Sequence, residues 1–189
     1  MTRKTFNFCC LVVFVLVSTE YLQGQCGLPD PLSIRDLNTT AAHIRVENLP
    51  SSILGAGGQG VCQIRVRFRH ESIGDVSLLL ISPNGRSFPL IVPSGSRPTN
   101  GTVWDITFVP CAQTAVPDEG NFIKPQWDSD QAWGTDQNYR GSYHPITCLE
   151  EINNGPANGL WTITVADITG SGSGVIESFD ISFCNSSGL

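Results

Sequence analysis

The chain has 189 residues, 15% of them charged, and a formal charge of −6 at neutral pH, an acidity that excludes the basic footprint of a nucleic-acid or anionic-membrane binder. Its seven cysteines and three histidines contain no Cys-x-x-Cys pair, which makes a zinc site a poor reading.

The N-terminus has the three-part layout of a secretory signal peptide. Arg3 and Lys4 precede an apolar run from Phe8 to Val17, and a polar stretch from Ser18 to Gln25 follows. Ten apolar residues are too few to span a bilayer core, which needs about 20. Cleavage is expected between Gly24 and Cys26, so residues 1–25 are assigned to the signal. The remaining chain is expected to be secreted, with no membrane anchor. Removing Arg3, Lys4 and Glu20 leaves nine basic and sixteen acidic residues.

Residues 26–42, with Pro29 and Pro31, read as an extended leader. From 43 onward the pattern has period two, and residues 43–184 form one domain of a size that folds alone. Strands are expected at His43–Leu49, Val61–His70, Asp75–Ser82, Ser87–Val92, Thr102–Phe108, Leu160–Ala166 and Val175–Phe183. In the second of these, Cys62, Ile64, Val66 and Phe68 share the buried face. Gln63, Arg65, Arg67 and Arg69 share the solvated one. Asp75–Ser82 is apolar on both faces and reads as a central strand. Ser82-Pro83-Asn84-Gly85 is a turn, and Thr169–Gly174 is a flexible hairpin loop. Many short alternating strands with turn punctuation define an all-β sandwich or jelly roll. Residues 110–159 break the rhythm, because Pro117, Pro125, Pro145 and Pro156 exclude continuous central strands. Their middle, 118–140, concentrates acidic residues beside Trp127, Trp133 and Tyr139. A loop this long is either functional or tied down. Residues 185–189 are a tail.

Five blocks in order carry a resemblance. Arg69-His70-Glu71-Ser72-Ile73-Gly74-Asp75-Val76 runs through Leu78 and Leu80 to Ser82-Pro83-Asn84-Gly85. Trp104-Asp105-Ile106-Thr107-Phe108, Gly141-Ser142-Tyr143-His144-Pro145 and Asn158-Gly159-Leu160-Trp161 through Asp167 come next. Gly174-Val175-Ile176 with Phe179 and Phe183 closes the series. Together they resemble the P domain (P/Homo B domain) of kexin/furin-like proprotein convertases and related bacterial secreted proteins. The resemblance implies a β-sandwich of about eight strands in a jelly-roll, galactose-binding-like topology. It also implies a domain that follows a subtilisin-like serine endopeptidase and stabilises it. The chain departs from that pattern in two places. Val109-Pro110-Cys111-Ala112 stands where the family often has Asp-x-Ala, which removes a metal ligand. No protease domain is expected between the signal and the module.

Catalytic residues are therefore expected to be absent. The flanking motifs of a subtilisin-type triad are missing, and the 170–174 glycine–serine run has Gly172 where a nucleophile elbow needs serine. Calcium is the candidate cofactor, with Asp75, Asp105 and Asp167 at strand ends as its ligands. For the cysteines, alternation places Cys62 inward as a free buried thiol and Cys184 outward. The expected pairs are Cys26–Cys184, joining the termini, and Cys111–Cys148, pinning the long loop. The leading functional reading is a non-catalytic module that stabilises or docks onto a secreted subtilisin-like protease or another extracellular protein. The alternative is a ligand- or carbohydrate-binding sandwich in which Trp127, Trp133 and Tyr139 of the 118–140 loop stack on the ligand. Asn38-Thr39-Thr40, Asn100-Gly101-Thr102 and Asn185-Ser186-Ser187 are N-glycosylation sequons, which count only in a eukaryotic secretory pathway.

Overall fold

The structure is a computed structural model that describes residues 24–55, 59–95, 97–117, 124–170 and 172–185, with side chains from 27 to 184. The expected signal segment lies outside the described residues up to Gly24, as does the tail beyond Asn185. The chain forms β1 (Gly24–Gly27), β2 (Leu32–Ile34), β3 (Thr39–Val46), β4 (Ile53–Leu54), β5 (Gln59–His70), β6 (Val76–Ile81), β7 (Ser87–Ile91), β8 (Val103–Phe108), β9 (Asn138–Tyr143), the single helical turn α1 (Leu149–Ile152), β10 (Gly155–Pro156), β11 (Gly159–Asp167) and β12 (Gly174–Asn185). Among the described residues, no helix is long and apolar enough to cross a membrane.

Two sheets carry the fold. The larger runs β1-β12-β5-β8-β9, with β2 also pairing β12, and the smaller runs β3-β11-β6-β7. Each strand expected from alternation is present within a few residues of its expected bounds. Alternation works because one face of each sheet is buried. Ile64, Val66 and Phe68 of β5, Trp104, Ile106 and Phe108 of β8, and Phe179, Ile181 and Phe183 of β12 line one side of the core. Trp161, Ile163 and Val165 of β11 and Leu78 and Leu80 of β6 line the other. β6 lies between β11 and β7, a central strand as its double-sided apolarity requires.

The expected leader is more structured than its prolines suggest. β1 and β2 pair side by side along the same edge of β12, so 26–34 closes one margin of the larger sheet. The expected irregular segment 110–159 also contains a strand. β9 pairs in parallel with β8, from Val103↔Asn138 to Phe108↔Tyr143. It occupies the sheet edge, the place open to a strand whose neighbours carry prolines.

Two irregularities interrupt the β5–β12 ladder. The register passes from Gln63↔Ser182 to Val61↔Phe183, which leaves Cys62 as the extra residue of a bulge. A second shift leaves Glu177 as the extra residue between Ile176 and Ser178.

Candidate functional site

The first bulge corrects the expected disulfides. Strict alternation turns Cys62 into the core with Ile64, but the extra residue reverses the parity below it. Val61 joins the core cluster instead, and Cys62 turns to the side that Cys184 faces. Cys62 is bonded to Cys184. The expected Cys26–Cys184 bond is thereby overturned, as is the free thiol at Cys62. Cys26 sits opposite Ile181 in the ladder, not opposite Cys184. Cys111 is bonded to Cys148. Both bonds lie at the same end of the sandwich, where β5 begins and β8 and β12 finish.

Glu150, on α1, sits against the second bond. Its carboxylate accepts hydrogen bonds from the backbone N–H of Cys111 at 3.0 Å and of Ala112 at 2.7 Å. Burial pushes the Glu150 carboxyl upward, but these N–H donors and its own backbone N–H outweigh it and hold the group below its usual range. Cys111, Cys148 and Glu150 are the one group of potential metal ligands brought together among the described residues. A disulfide offers no thiolate, so they do not form a metal site while the bond is intact.

The expected calcium ligands do not converge. Asp75 and Asp167 are buried at the opposite end of the sandwich, whereas Asp105 lies on the outer face of the larger sheet. There Asp105 takes a two-pronged hydrogen bond from Arg65, both contacts at 2.9 Å, and lies 3.6 Å from Arg67. The Arg65 hydrogen bond holds the Asp105 carboxyl below its usual range. The shared site fails because Asp105 belongs to a different layer and already has cationic partners.

This outer face carries a continuous ionic ladder. Arg67 and Arg69 both reach Glu177, at 2.5 and 2.6 Å, and Glu177 is within reach because it is the bulged residue of β12. The order is Arg65, Asp105, Arg67, Glu177, Arg69 across three strands. The arginine alternation was visible in the sequence. The two carboxylates that thread it were not, since their placement depends on strand order and on a bulge.

At the far end, β5 finishes in His70, whose ring is fully buried. Its Nε2 lies 3.1 Å from Asp167 Oδ2. Its Nδ1 lies 2.7 Å from Ser72 O and 3.1 Å from Ser72 N. Asp167 also accepts the Thr169 N–H, and Thr99 donates its hydroxyl to His70 O while accepting the Ile73 N–H. Gly74 is required here, because a Cβ on it would stand 1.5 Å from the Gly95 carbonyl oxygen. The motif His70 to Asp75 thus turns the chain from one sheet to the other and supplies the buried hydrogen bonds that the turn needs.

The aromatic residues of the long loop are corrected as ligand platforms. Trp127, Trp133 and Tyr139 are 1%, 4% and 5% exposed, leaving no ring face for a ligand. Trp127 packs against Phe68 and Phe108, and Trp133 and Tyr139 pack against Trp104. The smaller sheet ends at β7, and the loop continues that layer. Ile146 and Thr147 donate N–H bonds to Leu90 and Pro89 of β7, and the loop's rings cover the inner face of β8 and β9. Burial of these rings is therefore a consequence of unequal sheets. Beside Trp127 a cleft of about 380 Å³ opens between Val92 and Ser94 on one wall and Gln126, Asp128 and Ser129 on the other.

The described residues form a domain of two unequal β-sheets pinned by two disulfides. Residues 60–183 match the model of the proprotein convertase P-domain, and the chain belongs to that family. The match runs from β5 to β12 and includes all five blocks on which the resemblance rests. No curated protein matches the chain. Among solved structures it is similar to the serine protease of Aeromonas sobria in complex with its chaperone, at 14% identity and a TM-score of 0.45, covering 85% of this chain and 27% of that one. It is also similar to the Aeromonas sobria serine protease by itself, at 12% identity and a TM-score of 0.42 with the same coverage. The chain thus spans 27% of the length of those chains.

Proposed function

We propose that this chain is a non-catalytic module that docks onto a secreted subtilisin-like serine endopeptidase and stabilises it. The observation that carries the reading is the P-domain match over residues 60–183, since such domains are accessory to serine proteases. His43 bonds Thr162, His144 bonds the Gln113 carbonyl and His70 is buried on Ser72 and Asp167, so each imidazole has a structural partner.

The face that suits docking is the outer side of β5, β8 and β12. In an acidic chain it gathers Arg65, Arg67 and Arg69, with Arg65 and Arg69 still about half exposed at 55% and 54%. The ladder holds these guanidinium groups in place, which lowers the entropy lost when a partner's carboxylates engage them. The test mixes the purified, oxidised chain with a secreted subtilisin-like protease that lacks its own P domain. Binding to the native protease must raise its unfolding midpoint as the module is titrated in. A midpoint unchanged at saturating module would remove the proposal.

A second reading, small-ligand binding, keeps one support, the cleft beside Trp127. Its volume falls at the low end of the roughly 300–1,000 Å³ of ligand pockets. Carbohydrate binding that disappears in Gln126→Ala at unchanged thermal stability would favour it. No binding to any member of a glycan array would discard it.

A further inference from the structure

We infer that Asn38 and Asn100 are N-glycosylation acceptors in a eukaryotic secretory lumen, Asn100 being modified before the chain folds, so that glycan crowns the end of the sandwich opposite the disulfides. The sequons themselves are common motifs. What singles these two out is where the fold puts them.

Both asparagines are exposed, and both belong to tight turns. Asn38 closes the turn that begins at Arg35 and leads into β3. Asn100 stands at the tip of Thr99–Thr102, a turn closed by the Thr102 N–H on Thr99 O at 3.0 Å, with Gly101 at φ +73 as its third residue. Neither side-chain amide takes part in a hydrogen bond among the described residues, so a glycan at either Nδ2 displaces nothing. A chain of backbone hydrogen bonds joins the two sites. Asp167 N–H bonds Asn38 O, Ile168 N–H bonds Asp75 O, Asp75 N–H bonds Ser72 O, and Thr99 N–H bonds Glu71 O. The same end exposes Leu37 and Ile168, at 68% and 52%, apolar side chains flanking Asn38 that a sugar would cover. Of the third sequon only the Asn185 backbone is described, at the disulfide end, and the rest lies outside the described residues.

The timing follows from Thr102. Oligosaccharide transfer requires the hydroxyl two residues after the asparagine, and this one is 1% exposed. Its Oγ1 donates to Gly134 O at 2.6 Å and accepts the Gln137 N–H at 3.2 Å. Once the segment before β9 has docked, the enzyme cannot reach it. In the transfer, Asn Nδ2 attacks the anomeric carbon of a lipid-linked oligosaccharide diphosphate. A C–N bond forms, the C–O bond to the diphosphate breaks, the amide loses one proton and the lipid diphosphate leaves.

The experiment expresses the full chain in a eukaryotic secretory host and maps the secreted product after amidase deglycosylation in heavy-oxygen water. The expected result is ¹⁸O-labelled aspartate at positions 38 and 100, with Asn38→Gln and Asn100→Gln each removing one glycan. Gln is chosen over a change at Thr102, which would also remove two structural hydrogen bonds. A second arm offers lipid-linked oligosaccharide and transferase to the non-glycosylated chain, either native and oxidised or reduced and unfolded. Asn100 should be modified only in the unfolded chain. Secretion with Asn38 or Asn100 unmodified overturns the inference, and so does equal modification of Asn100 in the native chain.

Discussion

The two ends of the sandwich are fastened by different chemistry. At the end where β5 begins, Cys62–Cys184 and Cys111–Cys148 cross-link strands, loop and α1 covalently. At the end where β5 finishes, no disulfide occurs among the described residues, and His70, Ser72, Thr99 and Asp167 hold the crossovers by buried hydrogen bonds and a close imidazole–carboxylate contact. A disulfide acts mainly by restricting the unfolded chain, whereas a buried polar cluster acts in the folded state and is severe when half removed. The first end should therefore fail when the bonds are reduced, and the second when one partner is deleted.

The largest effect should come from the longer cross-link. Cys62 and Cys184 are 122 residues apart and Cys111 and Cys148 are 37 apart. On the chain-entropy model their paired replacement by alanine costs about 5 and about 4 kcal/mol respectively. Urea unfolding of the two double variants checks both the size and the order, and equal losses would mean that chain entropy is not the governing term. His70→Ala should cost about 3 kcal/mol, because it empties a fully buried ring position and leaves Asp167 Oδ2 facing a void, with the Thr169 N–H as the carboxylate's remaining donor. Hydrogen exchange locates the damage. The amides of Asp75, Thr99, Asp167 and Ile168 should lose protection, while those around Cys62 keep theirs.

How much of this was legible in the sequence differs between the two ends. The polar end was visible as a motif, since His70, Gly74 and Asp75 stand close together in the chain, but the calcium expectation joined Asp75 and Asp167 to Asp105, which belongs to the other sheet. What joins Asp167 to His70 is the antiparallel pairing of β11 with β6 and the turn before it, a long-range fact that no local spacing contains. At the disulfide end alternation was carried one residue too far. It placed Cys184 correctly outward, yet a bulge at Cys62 carries no local signature strong enough to be read, and one extra residue reverses every side chain below it. The strands with one wet face were readable because period two records burial. The loop 110–159 was legible in part: its Cys111–Cys148 bond was expected and is present, whereas β9 within it was not, because a parallel pairing with β8 is a property of the whole fold.

Acid sharpens the comparison at the disulfide end. Glu150 is held below its usual range, so its contribution is fully present above the unfolded carboxylate pKa of about 4.3 and is lost as pH falls through the lower folded value. Glu150→Gln should lower stability by about 1 kcal/mol at neutral pH, the order expected for half-exposed hydrogen bonds to a charged group. The deficit should shrink as the pH of the unfolding experiment is taken below about 4.3, where the wild-type carboxylate becomes protonated too. A deficit constant with pH would assign the loss to packing of α1, not to the charge of the carboxylate.

The smallest effect belongs to the surface between the ends. Arg65 and Asp105 make a two-pronged contact, but Arg65 is more than half exposed. A double-mutant cycle with Arg65→Ala and Asp105→Ala should return a coupling of about 0.5–1 kcal/mol, falling further in molar salt. The ladder is shared, so Asp105→Ala also leaves Arg67 with Glu177 as its remaining partner. Repeating the cycle in a Glu177→Ala background should therefore change the coupling, because residues in one ionic network are not additive. An unchanged coupling would reduce the ladder to independent pairs. The rigidity invoked for a docking face would then lose its physical basis, even though the arginines themselves remain in place.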